Sequence, residues 1–242
     1  MSISFCIITT GNRPDKLRLC IKSIHRNFSS VDRYEIIVVG NNIDQFSDLD
    51  AVFIEDDEYV EFLGKRRNIC TENSKGDILV HCDDDLVFPN NWYKKFLKFN
   101  HSNPNWRVMG NKVLLPDGSR YWDRATYLPD HKMVNYDLRS TDVTFYQSGC
   151  FCISRKDLME EVSWDDTIPF YAMFKGLGYN EDVDFSLRLK NKGVDIYFDK
   201  ENIVWHNDFS YHSNDIFCNK TLYKNRIDYK SLNFICLIHQ LS

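Results

Sequence analysis

A short apolar run, Ile78 to Cys82, opens after Gly76 and runs directly into three acids, Asp83-Asp84-Asp85, followed by Leu86-Val87-Phe88-Pro89. A run of this length between a glycine and a polar break reads as a buried strand that ends at the surface. Three carboxylates then stand at the strand's carboxyl end. Model carboxyls titrate near pH ~4, so all three are ionised at pH 7, and such a cluster repels itself unless a cation joins it. If the strand geometry persists, side chains alternate faces, so Asp83 and Asp85 point one way, about 7 Å apart, and Asp84 the other. An acidic turn that keeps a strand end soluble is the plainer alternative. An EF-hand is disfavoured, because the positions that need glycine and glutamate hold Phe88 and Lys94. What remains is a hard cation with few protein ligands, which suits Mg²⁺ or Mn²⁺ bridging a substrate's phosphates.

Similar short runs recur along the chain, with helical stretches between them. Ile3 to Thr9 reads as a strand, and Thr10-Gly11-Asn12-Arg13-Pro14 turns it into a helix, with Pro14 suited to the first turn and Leu17, Cys20, Ile21, Ile24 and Phe28 at helical spacing. Tyr34 to Val39 is a second strand, Gly40-Asn41-Asn42 a turn, Ala51 to Ile54 a weaker third strand, and Leu63 to Asn73 a helix carrying Lys65, Arg66 and Arg67. Beyond Pro89 a helix with Trp92, Tyr93, Phe96 and Phe99 is expected to end near Asn103-Pro104, its rings in the core. Trp106 to Leu115, the turn Pro116-Asp117-Gly118-Ser119 and the residues from Arg120 predict a hairpin. Phe145 to Ile153 is a further strand, Arg155 to Val162 a helix, and the stretch from Tyr179 a helix that stops at Gly193. Val194 to Phe198 and Ile203 to His206 close the pattern as two short strands, while the polar stretch from Thr126 to Thr141 is a candidate lid or acceptor loop. This alternation predicts an α/β protein with a mostly parallel central sheet flanked by helices, whose ligands bind beyond the carboxyl ends of its strands. The three acids sit at such an end.

Chain length and charge narrow the partners. A chain of 242 residues can build one sizeable domain. A net charge of −5 with scattered Lys and Arg argues against nucleic acid as a partner. The eight cysteines lie mostly within apolar runs, where free thiols behave as small hydrophobes, and are expected to be reduced. Met1-Ser2-Ile3-Ser4-Phe5 enters a strand with no basic segment and long apolar stretch of a signal peptide, so a cytoplasmic location is expected. Ser231 to Leu241 is apolar but shorter than the ~20 residues that cross a bilayer. It predicts a docking helix rather than a transmembrane anchor, with peripheral membrane contact left open. Glu181 and Asp182 lie in the first turn of a helix, where its dipole stabilises acids.

Several segments, taken in order, carry a resemblance. Ile7-Ile8-Thr9-Thr10-Gly11-Asn12-Arg13-Pro14, Glu35-Ile36-Ile37-Val38-Val39, Lys65-Arg66-Arg67-Asn68 before Lys75-Gly76-Asp77, and Asp83-Asp84-Asp85 lead it. Ser148-Gly149-Cys150-Phe151, Trp164-Asp165-Asp166, Gly178 to Phe185, and Trp205-His206 follow. Together they resemble the GT-A glycosyltransferases, especially the family 2-like enzymes that move a sugar from a nucleotide diphosphate donor, over roughly residues 3 to 208. The resemblance implies a Rossmann-like nucleotide-diphospho-sugar transferase fold in a single domain, with residues 1–100 the nucleotide-binding half, 101–210 the acceptor and catalytic half and 211–242 a tail.

It also implies roles. Asp85, helped by Asp83, would hold Mn²⁺ or Mg²⁺ on the diphosphate, with His206 completing the metal shell as in some relatives; a lone histidine on an apolar strand is more often simply packed. Arg67 would bind the nucleotide phosphates, with Asp83 and Asp84 beside them, and Thr9 and Gly11 would border the base and ribose. Asp182 would be the general base that takes the acceptor hydroxyl's proton in an inverting transfer. The family often has an aspartate after its second strand that contacts the base. Here Gly40 stands there, leaving Asn41 or Asn42 to hydrogen-bond a base edge. The expected partners are a nucleotide-diphosphate sugar, first of all a UDP-sugar, and a carbohydrate or glycoconjugate acceptor. A sugar-phosphate nucleotidyltransferase and a non-catalytic nucleotide-sugar-binding domain are the alternatives; the first needs a glycine-rich phosphate loop, and Thr9 to Pro14 supplies one glycine.

Overall fold

The computed structural model describes residues 1–121, 123–127, 133–135, 146–170 and 180–207. In chain order the elements are β1 (Ile3–Thr9), α1 (Pro14–His25), β2 (Tyr34–Gly40), β3 (Val52–Glu55), α2 (Leu63–Asn73), β4 (Ile78–Asp83), β5 (Leu86–Val87), α3 (Trp92–Ser102), β6 (Val108–Leu114), β7 (Arg124–Tyr127), β8 (Met133–Asn135), β9 (Tyr146–Gln147), β10 (Phe151–Arg155), α4 (Lys156–Glu161), α5 (Glu181–Asn191) and β11 (Ile196–His206). One sheet has eight strands in the order β3-β2-β1-β4-β10-β6-β11-β5, and a smaller one has the order β8-β7-β9. From β3 to β4 every pairing is parallel. Beyond β4 the sheet is mixed: β10 runs antiparallel to β4 and β6, β11 parallel to β6, and β5 antiparallel to β11.

Both faces of the parallel half are covered, which is why its strands read as unbroken apolar runs. Along β1, Phe5 and Ile7 face the side where Leu17, Cys20 and Ile24 of α1 and Trp92 and Phe96 of α3 pack. Cys6 and Ile8 face the other side, with Cys70 of α2, Leu158 of α4 and Phe185 and Leu189 of α5. Full burial of a ring such as Phe96 contributes roughly 1.5–3 kcal/mol. All six described cysteines are free and buried, as small apolar packing groups.

Three expectations change. The two closing strands are one, β11, whose register shifts between Asp199 and Ile203. The polar residues that suggested a loop are absorbed there, since Asp199 accepts from the Glu201 N–H at 3.1 Å and Asn202 Nδ2 donates to the Trp92 carbonyl at 3.1 Å. The hairpin after β6 keeps its turn, but among the described residues its returning arm makes a single bridge, Leu114 with Arg120. The expected strand from Phe145 is divided into β9 and β10 by a turn at Gly149-Cys150. Most of the candidate lid between Thr126 and Thr141, the start of the Tyr179 stretch and the whole of 211–242 lie outside the described residues. Among the described residues no helix is long and apolar enough to cross a membrane.

Candidate active site

The parallel strands end together. Thr9 lies beside Gly40, and Ile8 beside Asp83, so the ends of β1, β2 and β4 form one rim. The chain leaves β1 through Gly11, whose φ is +70° and whose position would set a Cβ 2.1 Å from the Asn41 carbonyl oxygen. Only glycine tolerates both conditions. This tight exit keeps Thr9 to Arg13 against the rim. Thr9 Oγ1 donates to Asp84 Oδ2 at 2.5 Å and accepts from the Gly11 N–H at 3.0 Å. Arg13, half-exposed before Pro14, forks across two carboxylates, reaching Asp84 Oδ1 with Nη2 and Asp85 Oδ2 with Nη1 at 2.7 Å.

The acids are therefore paired differently from the expected Asp83 with Asp85. Strand alternation stops at Asp83, because β4 ends there and Asp84-Asp85 form the turn into β5. Asp84 and Asp85 are both buried and converge on Arg13, whereas Asp83, 30% exposed at its side chain, stands alone toward Arg67 at 3.4 Å. Burial lifts Asp83 to about 7, helped by the neighbouring charges of Asp85 and Asp84 and opposed by Arg67. Burial also raises Asp84, against the pull of Arg13 and the Thr9 hydrogen bond.

Asp85 does meet His206. Its Oδ1 lies 3.7 Å from His206 Nε2, on the last residue of β11, and accepts no hydrogen bond among the described residues. Tyr121 stacks on the His206 ring at 4.4 Å. A buried carboxylate oxygen without a donor, facing an imidazole nitrogen across a gap that an ion about 2 Å from each can span, fits a divalent cation. The expected trio does not assemble, however. Among the described residues no three His, Cys, Asp or Glu side chains are grouped to hold a metal, because Asp83 is turned to Arg67. Asp85 and His206 are the two protein ligands that fit, a number suited to a cation completed by phosphates and water.

Next along the rim, Arg66 is 1% exposed and entirely engaged. It donates to Asp56 Oδ2 at 2.6 Å, the Thr9 carbonyl at 2.8 Å, the Asp56 carbonyl at 2.7 Å and Asn41 Oδ1 at 2.5 Å. Thr9 and Asn41, both expected at the nucleotide, are thus brought together by one guanidinium. Asn41 Nδ2 donates to Asp57 at 2.6 Å.

The second half of the site is built on Gly149. Arg67 donates to the Gly149 carbonyl at 2.9 Å and to Glu181 Oε1 at 2.6 Å, and the Gly149 N–H points to Asp182 Oδ2 at 3.3 Å. Asp182 Oδ1 also accepts from the Val183 N–H at 2.8 Å, within the first turn of α5, where the helix dipole favours a carboxylate. Burial disfavours the Arg67 charge, but Glu181 and Asp83 outweigh it and hold the guanidinium protonated. Sequence reasoning missed Arg13, Arg66, Asp56 and the part played by Gly149. Arg13 lies 72 positions from Asp85, so no local pattern links them. Gly149 stood within a recognised segment, but its crowding becomes visible only once α2 and α5 flank it.

Comparisons with known proteins bear on the fold and the family. The chain resembles the structure of GalNAc-T7 with UDP, GalNAc and Mn²⁺ at a TM-score of 0.64 and 14% identity, covering 85% of this chain and 44% of that one. It resembles S. aureus TarS 1-349 in complex with UDP-GlcNAc at a TM-score of 0.61 and 14% identity, covering 85% of this chain and 58% of that one. At these identities the likeness establishes the GT-A fold, and the chain spans about half the length of those structures. Comparison with curated proteins returned no match. Residues 5–163, from β1 through the acid turn to the end of α4, match the model of glycosyl transferase family 2, and the protein belongs to that family.

Proposed function

We propose that the protein transfers a sugar from a nucleoside-diphosphate sugar, first of all a UDP-sugar, to a hydroxyl of a glycan or glycoconjugate, with a divalent cation and with inversion. The observation that carries this reading is the rim itself. Asp85 Oδ1, which accepts no hydrogen bond among the described residues, faces His206 on one side of the acid turn, and Asp182 stands at a helix N-terminus on the other, tied to it through Gly149 and Arg67. Mn²⁺ or Mg²⁺ on Asp85 and His206 would neutralise charge on the departing diphosphate. Thr9, Gly11 and Asn41, gathered by Arg66, would border the base and ribose, with Asp84 fixing Thr9. Asp182 would accept the acceptor's proton as the glycosidic bond forms, opposite the leaving group, so that a single displacement inverts the anomeric carbon. The UDP and UDP-GlcNAc in the similar structures, and the Mn²⁺ in one of them, support the choice of nucleotide and cation.

Thermal unfolding with nucleotide sugars tests this reading. A donor present at 100 times its dissociation constant stabilises the fold by about 2.7 kcal/mol, which for a chain of this length is a shift on the order of 5–10 °C. The expected result is such a shift with a UDP-sugar and Mn²⁺, reduced by EDTA. Release of pyrophosphate from a nucleoside triphosphate and a sugar phosphate would instead identify a nucleotidyltransferase and overturn the proposal.

A further inference from the structure

Arg67 was expected to reach the nucleotide phosphates, yet only 2% of its side chain is exposed. Its Nη1 and Nη2 go to Glu181, Gly149 and Asp83, and its remaining donor, Nε, is buried. The guanidinium lies 5.0 Å over the ring of Trp164, which stacks at 4.2 Å on Phe185. Trp164 is itself fastened to α2. Asn68, the residue after Arg67, donates Nδ2 to the Trp164 carbonyl at 2.9 Å and accepts from the Trp164 N–H at 3.1 Å. Gly64, one turn earlier, lets Asp165 approach so closely that a Cβ there would lie 2.1 Å from its carbonyl oxygen.

Phe185 follows Glu181 by four residues, so both lie on one face of α5, a turn apart. Helix α2 therefore grips α5 at two successive turns, at Glu181 through Arg67 and at Phe185 through Trp164. Such a double grip fixes the helix's rotation. Asp182, about 100° around from Glu181, is directed to the Gly149 N–H while Arg67 holds the same residue's carbonyl. The same guanidinium reaches Asp83 at the end of β4.

We infer that Arg67, braced by Trp164, is a positioning residue that sets the distance and direction between the acid turn and Asp182, and is not a ligand of the nucleotide's phosphates. This rests on reading Asp182 as the base. The test uses the full chain with Arg67→Gln and Arg67→Lys; lysine keeps the charge but, as a point charge, cannot make the forked contact. UDP affinity with Mn²⁺, measured by calorimetry, is expected to stay within about threefold in both variants, while kcat falls roughly 10–100-fold at an unchanged donor KM. Hydrogen exchange is expected to quicken together at residues 83–85 and 180–186, far apart in sequence, and to stay unchanged along β1 and β2. A tenfold or greater loss of UDP affinity in Arg67→Gln would make Arg67 a phosphate ligand and overturn the inference. So would wild-type kcat in Arg67→Lys, or an exchange change confined to α2. If Arg67→Gln does not fold, Arg67→Lys carries the test. Failure of the wild-type protein to bind UDP would count against the proposed function alone, since the exchange pattern still decides the role of Arg67.

Discussion

Replacing Gly149 by alanine adds one methyl group at the point where Arg67, Glu181 and Asp182 converge. The new carbon would lie 3.0 Å from Glu181 Oε1, 3.2 Å from Arg67 Nη2 and 3.2 Å from the Asp182 Cβ, where ordinary contacts run from 3.4 to 4 Å. Gly149 is not among the glycines with positive φ, so the cost is steric. None of the three neighbours can swing out freely: Arg67 is stacked on Trp164, Glu181 is held by Arg67, and the Asp182 Cβ is anchored in the helix. Overpacking of this kind costs about 1–3 kcal/mol. At this chain length that lowers Tm by roughly 2–12 °C. The displaced group is the proposed base, Asp182, and since a misplacement of about 1 Å can cost ~10²-fold, kcat should fall by tenfold or more with donor KM nearly unchanged. Thermal unfolding and initial-rate kinetics on Gly149→Ala measure both. A variant with wild-type Tm and wild-type kcat would refute the crowded geometry around Asp182.

Other perturbations separate the parts of the rim. Arg66→Ala leaves Asp56 buried without its cation, a loss of about 3–5 kcal/mol in urea unfolding at pH 7; a loss below about 1 kcal/mol would show that Arg66 is not the strut described. Asp85→Asn keeps the shape of the side chain and removes its charge, so added Mn²⁺ should no longer tighten UDP binding, and turnover should fall on the order of 10²-fold; an undiminished Mn²⁺ response would remove Asp85 from the cation site. His81, buried on β4 with neither ring nitrogen hydrogen-bonded among the described residues, is pushed down to about 3 by burial first and by Arg67 second. Between the unfolded value near 6.5 and about 3 the unfolded chain binds a proton that the fold refuses. Stability therefore falls as pH drops through that window, by roughly 1.4 kcal/mol per pH unit for this group. Chemical unfolding at several pH values should show a flatter slope in His81→Leu, and an identical slope would contradict the assignment.

In the parallel half β1 and β2 were legible as short apolar runs and α1 as an apolar helical repeat. Ile3–Thr9 carries its bounds in composition alone, whereas Leu63–Asn73 has no apolar stripe and buries Gly64, Arg66, Arg67 and Cys70. Pairing was not legible. Nothing in Phe151 to Arg155 tells that β10 runs antiparallel between β4 and β6, since strand order depends on which surfaces remain uncovered after the parallel half has formed. In the acid motif alternation failed beyond Asp83 because the backbone turns there, and the choice of Asp85 over Asp83 as the partner of His206 follows from that turn. Helical geometry told that Arg66 and Arg67 diverge by about 100°. It did not tell that one faces Thr9 and Asn41 and the other Gly149 and Glu181, which depends on segments more than 20 residues away in either direction.

The most direct test of the account is turnover by the wild-type protein and Asp182→Asn, with UDP-sugars, Mn²⁺ and a panel of glycan acceptors, following UDP release and the product anomer by NMR. The account predicts acceptor-dependent UDP release that EDTA abolishes, and a product whose anomeric configuration is inverted relative to the donor. Because general-base catalysis contributes roughly 10²–10⁴-fold, Asp182→Asn should lose that much turnover while binding UDP as the wild type does. A retained anomer, or an Asp182→Asn protein within a few-fold of wild type, would contradict it.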